Sequence, residues 1–480
     1  MVSSRSVKPV WPESSSGLPG SVTSVERREP APRVPARALG IGALLASAGL
    51  IASFAALGLN SIAVARIEGA GGAGLVALST QVIVIAVFVA GIGLRTSVAY
   101  RVGAGLWSPG SAVVGALRAS LGLGLIGAGL GFGAYLQLRN SAMSEFSPGM
   151  AATLMAALPF ALVWWIVPAI PLACELFERY ALLTVTAPIS VLMICPLGAL
   201  FGGSTGLVIG FAAGYVLGGS VTGLWALGFS RTDRARGGPE EGVQAAGAFG
   251  LRAWVNDLFQ FINVRPDLFI LSAYYGAADA GVYAVAVSIT SLVWILSQPL
   301  ASVVLPRTAS LKSAGTVEPR VATSEPHVAA VRHAVLVCIL AAAGVILVLA
   351  VAPLVWGRGF ERIPEIGLIL VPGVALLGIA RVMVAAFTGR GAANHALLVG
   401  LVSFPLTLIA FLLVIPDHGS TGAAVVSCIS YFAVSLLSAL LFFRTTRAGI
   451  ADSLVPRTTD FQDYVRLARR VRRELLSSGG

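Results

Sequence analysis

The chain has 480 residues, of which 56% are hydrophobic and 11% are charged, and its mean hydropathy is +0.86. Soluble domains carry roughly 25% charged residues, so this composition excludes a soluble enzyme. The formal net charge of +11 is typical of membrane proteins with basic inner loops, and no nucleic-acid partner is expected. Apolar runs of 18 or more residues recur from Leu39 to Phe443. Each can cross a hydrocarbon core of about 30 Å as a helix, which predicts an all-α, polytopic membrane protein.

The chain divides into two sets of six predicted spans between polar segments. Residues 1–38, rich in Pro, Ser and Arg, predict a disordered cytoplasmic tail. The N-terminal lobe, 39–230, has spans at about 39–64, 75–94, 116–138, 151–173, 181–201 and 204–229. A charged cytoplasmic linker, 231–250, precedes the C-terminal lobe, 251–443, with spans at about 251–274, 280–305, 331–356, 364–387, 394–415 and 419–443. Residues 444–480 predict a basic cytoplasmic tail.

The distribution of basic residues predicts the orientation of the spans. With the N-terminus in the cytoplasm, the inner segments hold 26 of the 33 Lys and Arg residues, and the outer loops hold 4. This bias indicates that both termini are cytoplasmic and favours an even number of spans. Only two of the basic residues are lysine, Lys8 and Lys312, and Ala, Gly and Val are abundant. This composition is typical of a GC-rich bacterial genome. We therefore expect a multi-pass protein of the bacterial plasma (inner) membrane.

The two lobes share a weak internal repeat. GAGGAGLVA at 69–77 matches GAADAGVYA at 276–284 with an offset of 207 residues, which aligns Gly69 with Gly276 and Gly74 with Gly281. The match falls in the same loop of each lobe, between helices one and two and between helices seven and eight. Small residues are common in this chain, so a chance match is the alternative. Because both lobes begin inside, the repeat predicts parallel, pseudo-symmetric lobes around a central cavity.

Polar side chains concentrate in predicted helix seven, LRAWVNDLFQFINVRPDLFIL. Five of them fall within about 80° of arc on one helix face: Arg252, Asn256, Gln260, Asn263 and Asp267. Polar groups in a bilayer usually face a bundle interior or a wet cavity, so this stripe predicts the wall of a substrate-binding cavity. The alternative is an amphipathic helix over 250–264 at the membrane surface, which would leave an apolar stretch too short to span.

The 207-residue offset carries this stripe onto predicted helix one. It aligns Asp267 with Asn60 and Gln260 with Ser53, which adds Ser53 and Asn60 to the predicted cavity residues. For Asn60 the alternative is an ordinary interhelical hydrogen bond. If the offset holds, Asn60 and Asp267 lie at similar depth, and we expect both to be exposed to water in one cavity between the lobes.

Arg118, Arg265 and Arg381 fall within the predicted spans, and the last two are candidates for a functional role. Arg265 precedes Pro266, which lacks an N–H and predicts a kink in helix seven. Arg265 lies on the face opposite the stripe, so it either pairs with an acidic group elsewhere or reaches round the kink into the cavity, and we include it among the cavity residues. Arg381 lies near the inner end of helix ten and is expected to extend to the cytoplasmic surface, with its charged end in water.

The sequence offers little for catalysis. HExxH and Walker A patterns do not occur in it, and its GxSxG match at 202–206 joins two predicted membrane spans rather than a strand and a helix, so we expect no enzyme activity, metal or cofactor. The tail sequence DYVRLARRVRRELL places apolar residues on one side of a helix and arginines around the rest. Such a helix binds the anionic lipids of a membrane surface, and a solvated charged tail is the alternative.

Over 264–311 the chain resembles the bacterial oligosaccharide flippases, the polysaccharide biosynthesis proteins of the superfamily that includes lipid II flippases and multidrug and toxin extrusion transporters. The resemblance is carried by Asp267, Gly276, Gly281, Tyr283, Pro299, Pro306 and Arg307, and more weakly by Arg66, Gly69 and Gly74. It implies a V-shaped bundle of two six-helix lobes, a cavity lined by helices one, two, seven and eight, and an undecaprenyl-diphosphate-linked oligosaccharide as cargo. The chain departs from lipid II flippases, which usually have fourteen helices and several cavity arginines.

These observations lead to one functional hypothesis and two rivals. The hypothesis is a flippase that carries a lipid-linked oligosaccharide across the membrane for cell-surface polysaccharide biosynthesis, alongside glycosyltransferases or a polymerase of the same pathway. The first rival is a membrane-embedded polymerase or glycosyltransferase, which would need a catalytic base and usually a large external loop. The second is a drug or cation antiporter on the same scaffold, with Asp267 as the proton-coupling carboxylate, because burial raises the pKa of an acid.

Overall fold

The computed structural model describes residues 36–233, 265–313, 326–389, 393–446, 448–457 and 460. All regular elements in these ranges are helices. They are α1 (Ala36–Gly91), α2 (Leu94–Gly103), α3 (Pro109–Leu138), α4 (Pro148–Ala156), α5 (Leu158–Ile166), α6 (Ala169–Ala173), α7 (Phe177–Asp233), α8 (Pro266–Ser313), α9 (Pro326–Trp356), α10 (Ile363–Gly389), α11 (Ala393–Thr446) and α12 (Ile450–Leu454). Contacts group Met1–Ile41 as one unit and Gly42–Gly480 as a second, and the helical bundle belongs to the second.

Four of these helices are longer than a membrane crossing needs, because each contains a reversal at one glycine. The reversing residues are Gly69 in α1, Gly203 in α7, Gly276 in α8 and Gly419 in α11, with φ values of 70°, 55°, 80° and 54°. Glycine adopts this left-handed region without the steric penalty that a Cβ brings. The described residues contain eight long apolar segments. Splitting four of them at these glycines gives twelve pieces, and of predicted span seven only residues 265–274 are described.

The contacts of α7 show that its two halves run antiparallel. A Cβ on Gly210 would lie 2.8 Å from the carbonyl oxygen of Ile194, and a Cβ on Gly218 would lie 2.4 Å from Cα of Ala187. As the position advances after Gly203, its partner moves back towards the start of the helix. Glycine therefore both reverses this hairpin and lets its two halves pack backbone against backbone.

The predicted boundaries differ from the structure at several places. Predicted loops such as 65–74 are helical up to the reversing glycine, since one residue with positive φ is enough to turn the chain. The predicted span 151–173 is broken into α4, α5 and α6, in a sequence that contains Pro159, Pro168 and Pro171, because proline cannot donate the helical hydrogen bond. Helix α8 continues beyond its predicted end at 305 to Ser313. The residue limits assigned to tails, lobes and linker stay predictions.

Two matched contacts relate the N-terminal and C-terminal lobes. A Cβ on Gly74 would lie 1.7 Å from the carbonyl oxygen of Ala277, and a Cβ on Gly281 would lie 2.3 Å from that of Ala70. Ala70 and Ala277 are themselves 207 positions apart, as are Gly74 and Gly281. A pair of contacts that exchanges equivalent residues is the mark of a two-fold axis. The geometry therefore supports the 207-residue repeat.

The segment after α11 is attached to α9 by a buried ion pair. Arg332 donates to both carboxylate oxygens of Asp460 at 3.0 and 3.1 Å and to the carbonyl oxygen of Asp452 at 3.0 Å. The side chains of Arg332 and Asp460 are 8% and 3% exposed. Burial alone raises the pKa of Asp460, but hydrogen bonds from Arg332 and from the backbone N–H of Arg457 hold that pKa below its usual value of 3.8.

A depressed carboxylate pKa stabilises the folded state above the unfolded pKa, and this contribution disappears as the pH falls through the folded pKa. We therefore expect the segment to stay attached at neutral pH and to detach only as the pH falls through the folded pKa of Asp460, which is lower than 3.8. At pH 7, Asp460→Asn is expected to weaken attachment by about 3 kcal/mol, because it leaves Arg332 buried without its counter-charge. Asp452→Asn, which removes a carboxylate from an exposed pair with Arg457, should cost less than about 1 kcal/mol.

The mobility of a spin label at exposed Ile450 measures the attachment of this segment. We expect a mobile label in Asp460→Asn and an immobile one in Asp452→Asn. Equal mobility in both variants at pH 7 would contradict the attachment role of the Arg332–Asp460 pair.

Candidate functional site

The eight predicted cavity residues divide into two groups. Arg252, Asn256, Gln260 and Asn263 lie outside the described residues, so the stripe itself stays a prediction. Ser53, Asn60, Arg265 and Asp267 are described. Pro266 is the first described residue of α8, and the kink predicted on its N-terminal side falls on residues that are not described.

Asp267 is buried inside the C-terminal lobe, where two groups donate hydrogen bonds to its carboxylate. One oxygen accepts the backbone N–H of Leu268 at 2.9 Å, and the other accepts the hydroxyl of Tyr283 at 2.5 Å. The Tyr283 hydroxyl also lies 3.0 Å from the hydroxyl of Ser427 on α11. The reversal at Gly276 brings residues 267 and 283 to the same height on adjacent halves of α8. Asp267 is 1% exposed, so its carboxylate is held by protein groups.

Ser53 and Asn60 lie inside the N-terminal lobe. The Ser53 hydroxyl donates to the carbonyl oxygens of Gly49 and Thr184 at 2.8 and 3.1 Å, which joins α1 to α7. Asn60 is 0% exposed and lies beside the Cys195 thiol on α7. Neither its amide oxygen nor its amide nitrogen has a hydrogen-bonding partner of ordinary geometry.

The structure contradicts the prediction that Asn60 and Asp267 are both exposed to water in one cavity. Each side chain is buried within its own lobe, because α7 covers Asn60, and Tyr283 and Ser427 enclose Asp267. The 207-residue offset aligns the two positions, but it does not place them in a shared space in this conformation. Whether either residue contacts a substrate stays a prediction.

A small pocket lies among α8, α10 and α11 within the C-terminal lobe. Its cavity volume is about 20 Å³, and it is lined by Arg265, Val287, Thr290, Ser291, Trp294, Leu370, Val374, Leu377, Arg381 and Tyr431. The described lining therefore includes two arginines and no carboxylate. Asp267 lies close to Arg265, but its oxygens already accept bonds from Tyr283 and Leu268. The described lining therefore carries two positive charges, and the negative charge of Asp267 lies near one of them, Arg265.

The predicted position of Arg381 is wrong. Instead of extending to the cytoplasmic surface, its guanidinium lies over the ring of Trp294, 4.0 Å from the ring centroid. A cation–π contact stabilises a desolvated guanidinium by about 2 kcal/mol, which offsets part of the cost of keeping it inside the lobe. The Arg381 Nε has no hydrogen-bonding partner. The side chain therefore has donor capacity left for a ligand.

Sequence reasoning missed Trp294 and Tyr431 as site residues. Both belong to apolar runs in which an aromatic residue is most often a packing residue, and only the fold shows that they flank the two arginines. Tyr283 was recognised within the 264–311 motif, but its bond to Asp267 depends on the reversal at Gly276. Among the described residues, no group of three His, Cys, Asp or Glu side chains could hold a metal ion.

No protein-family model matches the chain, and no curated protein matches its sequence. Solved structures match its fold. An inward-facing multidrug resistance MATE family transporter of the MOP superfamily is 17% identical, with a TM-score of 0.64, over 82% of this chain and 94% of that one. The lipid II flippase MurJ, in an inward closed conformation, is 12% identical, with a TM-score of 0.63, over 85% and 89%.

A third similar structure is a MOP superfamily transporter from Pyrococcus furiosus, described as having a binding pocket of reversed polarity that suggests a different function. It is 15% identical to this chain, with a TM-score of 0.58, over 86% of this chain and 96% of that one. Identities this low show the fold and not the cargo. The chain is a polytopic membrane protein with the two-lobed, pseudo-symmetric helical fold of the MOP superfamily transporters.

Proposed function

We propose that this protein is a transporter of the bacterial plasma membrane that flips an undecaprenyl-diphosphate-linked oligosaccharide by alternating access. The observation that carries the proposal is the pocket with Arg265 and Arg381 and no lining carboxylate. Guanidinium groups bind phosphate oxygens through short, charge-assisted bonds that are often bidentate. The diphosphate would bind these arginines, the glycan would occupy the predicted cavity between the lobes, and the prenyl tail would stay in lipid.

Binding of a short-chain prenyl diphosphate to the purified protein tests the role of this pocket. Arg381→Gln and Arg265→Gln are each expected to weaken binding about 10- to 100-fold, because each removes a charge-assisted bond worth about 1.5–3 kcal/mol. Arg362→Gln is the matched control, since Arg362 bonds to Asp279 and Thr421 away from the pocket. Unchanged affinity in both pocket variants, or equal binding of the uncharged prenyl alcohol, would contradict the proposal.

The cargo is tested in a strain that lacks the protein. Flipping predicts that complete lipid-linked units accumulate on the cytoplasmic side. Truncated units on the outer face would instead favour the polymerase or glycosyltransferase alternative, because chain extension rather than transfer across the membrane would then have failed. Gene neighbours that encode glycosyltransferases would add support to the flippase, since they would make its cargo.

A second candidate function is a drug or cation antiporter on the same fold. The observation that favours it is Asp267, a buried carboxylate whose hydrogen bond from Tyr283 could be replaced by a bound proton. Purified protein in vesicles would then exchange cationic dyes for protons, and Asp267→Asn would abolish the exchange. If vesicles show no dye exchange while the prenyl diphosphate binds, the flippase is the better proposal.

A further inference from the structure

Arg66, on α1, forms two hydrogen bonds with the opposite lobe. Its guanidinium donates from Nε to the carbonyl oxygen of Val355 at 2.8 Å and from Nη2 to that of Leu354 at 2.5 Å. Arg66 lies three residues before the reversal at Gly69, and Leu354 and Val355 lie in the last turn of α9. The contact therefore joins the lobes at the end of the bundle that contains Gly69 and Gly276, here called the reversal end.

The acceptors of this contact explain its strength. The last four carbonyls of a helix have no partner within that helix. At the end of α9, the N–H of Gly357 bonds to the carbonyl of Pro353 at 2.9 Å, and Arg66 supplies donors for the next two carbonyls. A cation at a helix C-terminus also interacts favourably with the helix dipole. Arg66 thus acts as the C-terminal cap of a helix in the other lobe.

Further contacts between the lobes surround Arg66. The indole N–H of Trp356 donates to the hydroxyl of Ser61 at 3.2 Å. A Cβ on Gly359 would lie 3.7 Å from the Cβ of Ala70, and the crossing of Gly74 with Ala277 lies on the same side of the bundle. At Gly74 and Gly281 the backbones are already in contact, so water cannot pass between them. The reversal end is closed in this structure.

We propose that Arg66 holds the transport pathway closed at the reversal end, and that loss of its two bonds to α9 is the step that opens this end. This inference rests on the proposed alternating-access function. With both termini cytoplasmic, the reversal end faces outward, and Arg66 is then the bonding residue of the outer gate. Contacts between glycines are non-directional, so they alone cannot fix the lobes in the closed position. The Arg66 bonds can, because they exist only when α1 and α9 are in register.

The distance between two spin labels measures the gate directly. Labels are placed at Ile67 and Arg358, which are exposed on either side of the contact, in a background with the four native cysteines replaced. Arg66→Gln is expected to lower the ratio of closed to open molecules about tenfold, and Arg66→Lys, which keeps the charge and a donor, should recover part of that loss. Arg362→Gln removes an arginine at the same end whose bonds stay within one lobe, so it should leave the ratio unchanged.

Three results would overturn the proposal: an Arg66→Gln distance distribution equal to the unmodified protein, the same shift in Arg362→Gln, or no recovery in Arg66→Lys. If Arg66→Gln does not fold, Ser61→Ala tests the neighbouring bond from Trp356 and should shift the ratio in the same direction by a smaller factor. Loss of the gate and loss of the cargo are separate results. A shift in distance with no flipping of lipid-linked units refutes the proposed cargo and leaves the gate intact, while flipping without a shift refutes only the gate.

Discussion

Gly74→Ala is expected to prevent the two lobes from closing at the reversal end. The added Cβ would lie 1.7 Å from the carbonyl oxygen of Ala277 and 2.6 Å from its carbonyl carbon. These are backbone atoms of a packed helix, so the clash cannot be relieved by a side-chain rotation. Overpacking of this kind costs about 3 kcal/mol, which corresponds to a change of about a hundredfold in the ratio of closed to open molecules. The label pair at positions 67 and 358 measures that ratio.

Two further substitutions test the same crossing, one with an equivalent effect and one as a control. Gly281→Ala should have the same effect, since its Cβ would lie 2.3 Å from the carbonyl oxygen of Ala70. Gly71→Ala is the matched control in the same helix, because no atom lies within 4 Å of the Cβ it would add, and alanine favours the helix by about 0.5–1 kcal/mol. A short distance retained in Gly74→Ala, or lost in Gly71→Ala, would contradict the role of this crossing.

Tyr283→Phe is expected to destabilise the C-terminal lobe by about 3 kcal/mol. The substitution keeps the ring, which is 0% exposed, and removes the hydroxyl that lies between Asp267 and Ser427. A buried carboxylate that loses a donor retains the full cost of its desolvation. Thermal unfolding of the purified protein measures the loss as a lower midpoint.

Asp267→Asn provides the complementary variant. Its single amide oxygen can accept the Tyr283 hydroxyl or the Leu268 N–H but not both, whereas a neutral group is less costly to bury, so we expect a smaller loss than in Tyr283→Phe. Tyr275→Phe is the control for loss of a tyrosine hydroxyl, since Tyr275 is 40% exposed and bonds to the carbonyl of Pro416. Equal destabilisation by Tyr283→Phe and Tyr275→Phe would show that the Asp267 carboxylate does not depend on Tyr283.

The fold followed from the sequence because hydrophobic runs report membrane spans with little ambiguity. The spans and the 207-residue repeat depend only on composition and spacing. The reversals were harder to locate, because one glycine among 55 is not marked by polarity or charge. The predicted loop between spans five and six contains only two residues, one of which is the reversing Gly203. The predicted loop at 65–74 is ten residues long, but the chain there is helical and turns only at Gly69. Local sequence does not distinguish a glycine that turns the chain from one that packs against a helix.

The pocket could not be predicted, because its residues come from three helices that are distant in sequence. Arg381 was expected at the surface since a long cationic side chain usually reaches water when it can. What keeps it inside is Trp294, which is 87 positions earlier and reaches it only through the packing of α8 against α10. A pairwise contact between distant helices leaves no pattern in the spacing of either one.

The crossing at Gly74 and Gly281 has a consequence for how this sequence can change over time. In a dimer with a two-fold axis, each contact occurs twice. Here the two halves related by the axis belong to one chain. A larger residue at one of the two positions cannot be accommodated by its counterpart, because glycine has no side-chain atoms left to remove. The two codons are therefore under a joint constraint although they are 207 positions apart. This steric requirement falls on the small residues that the two halves share at the crossing.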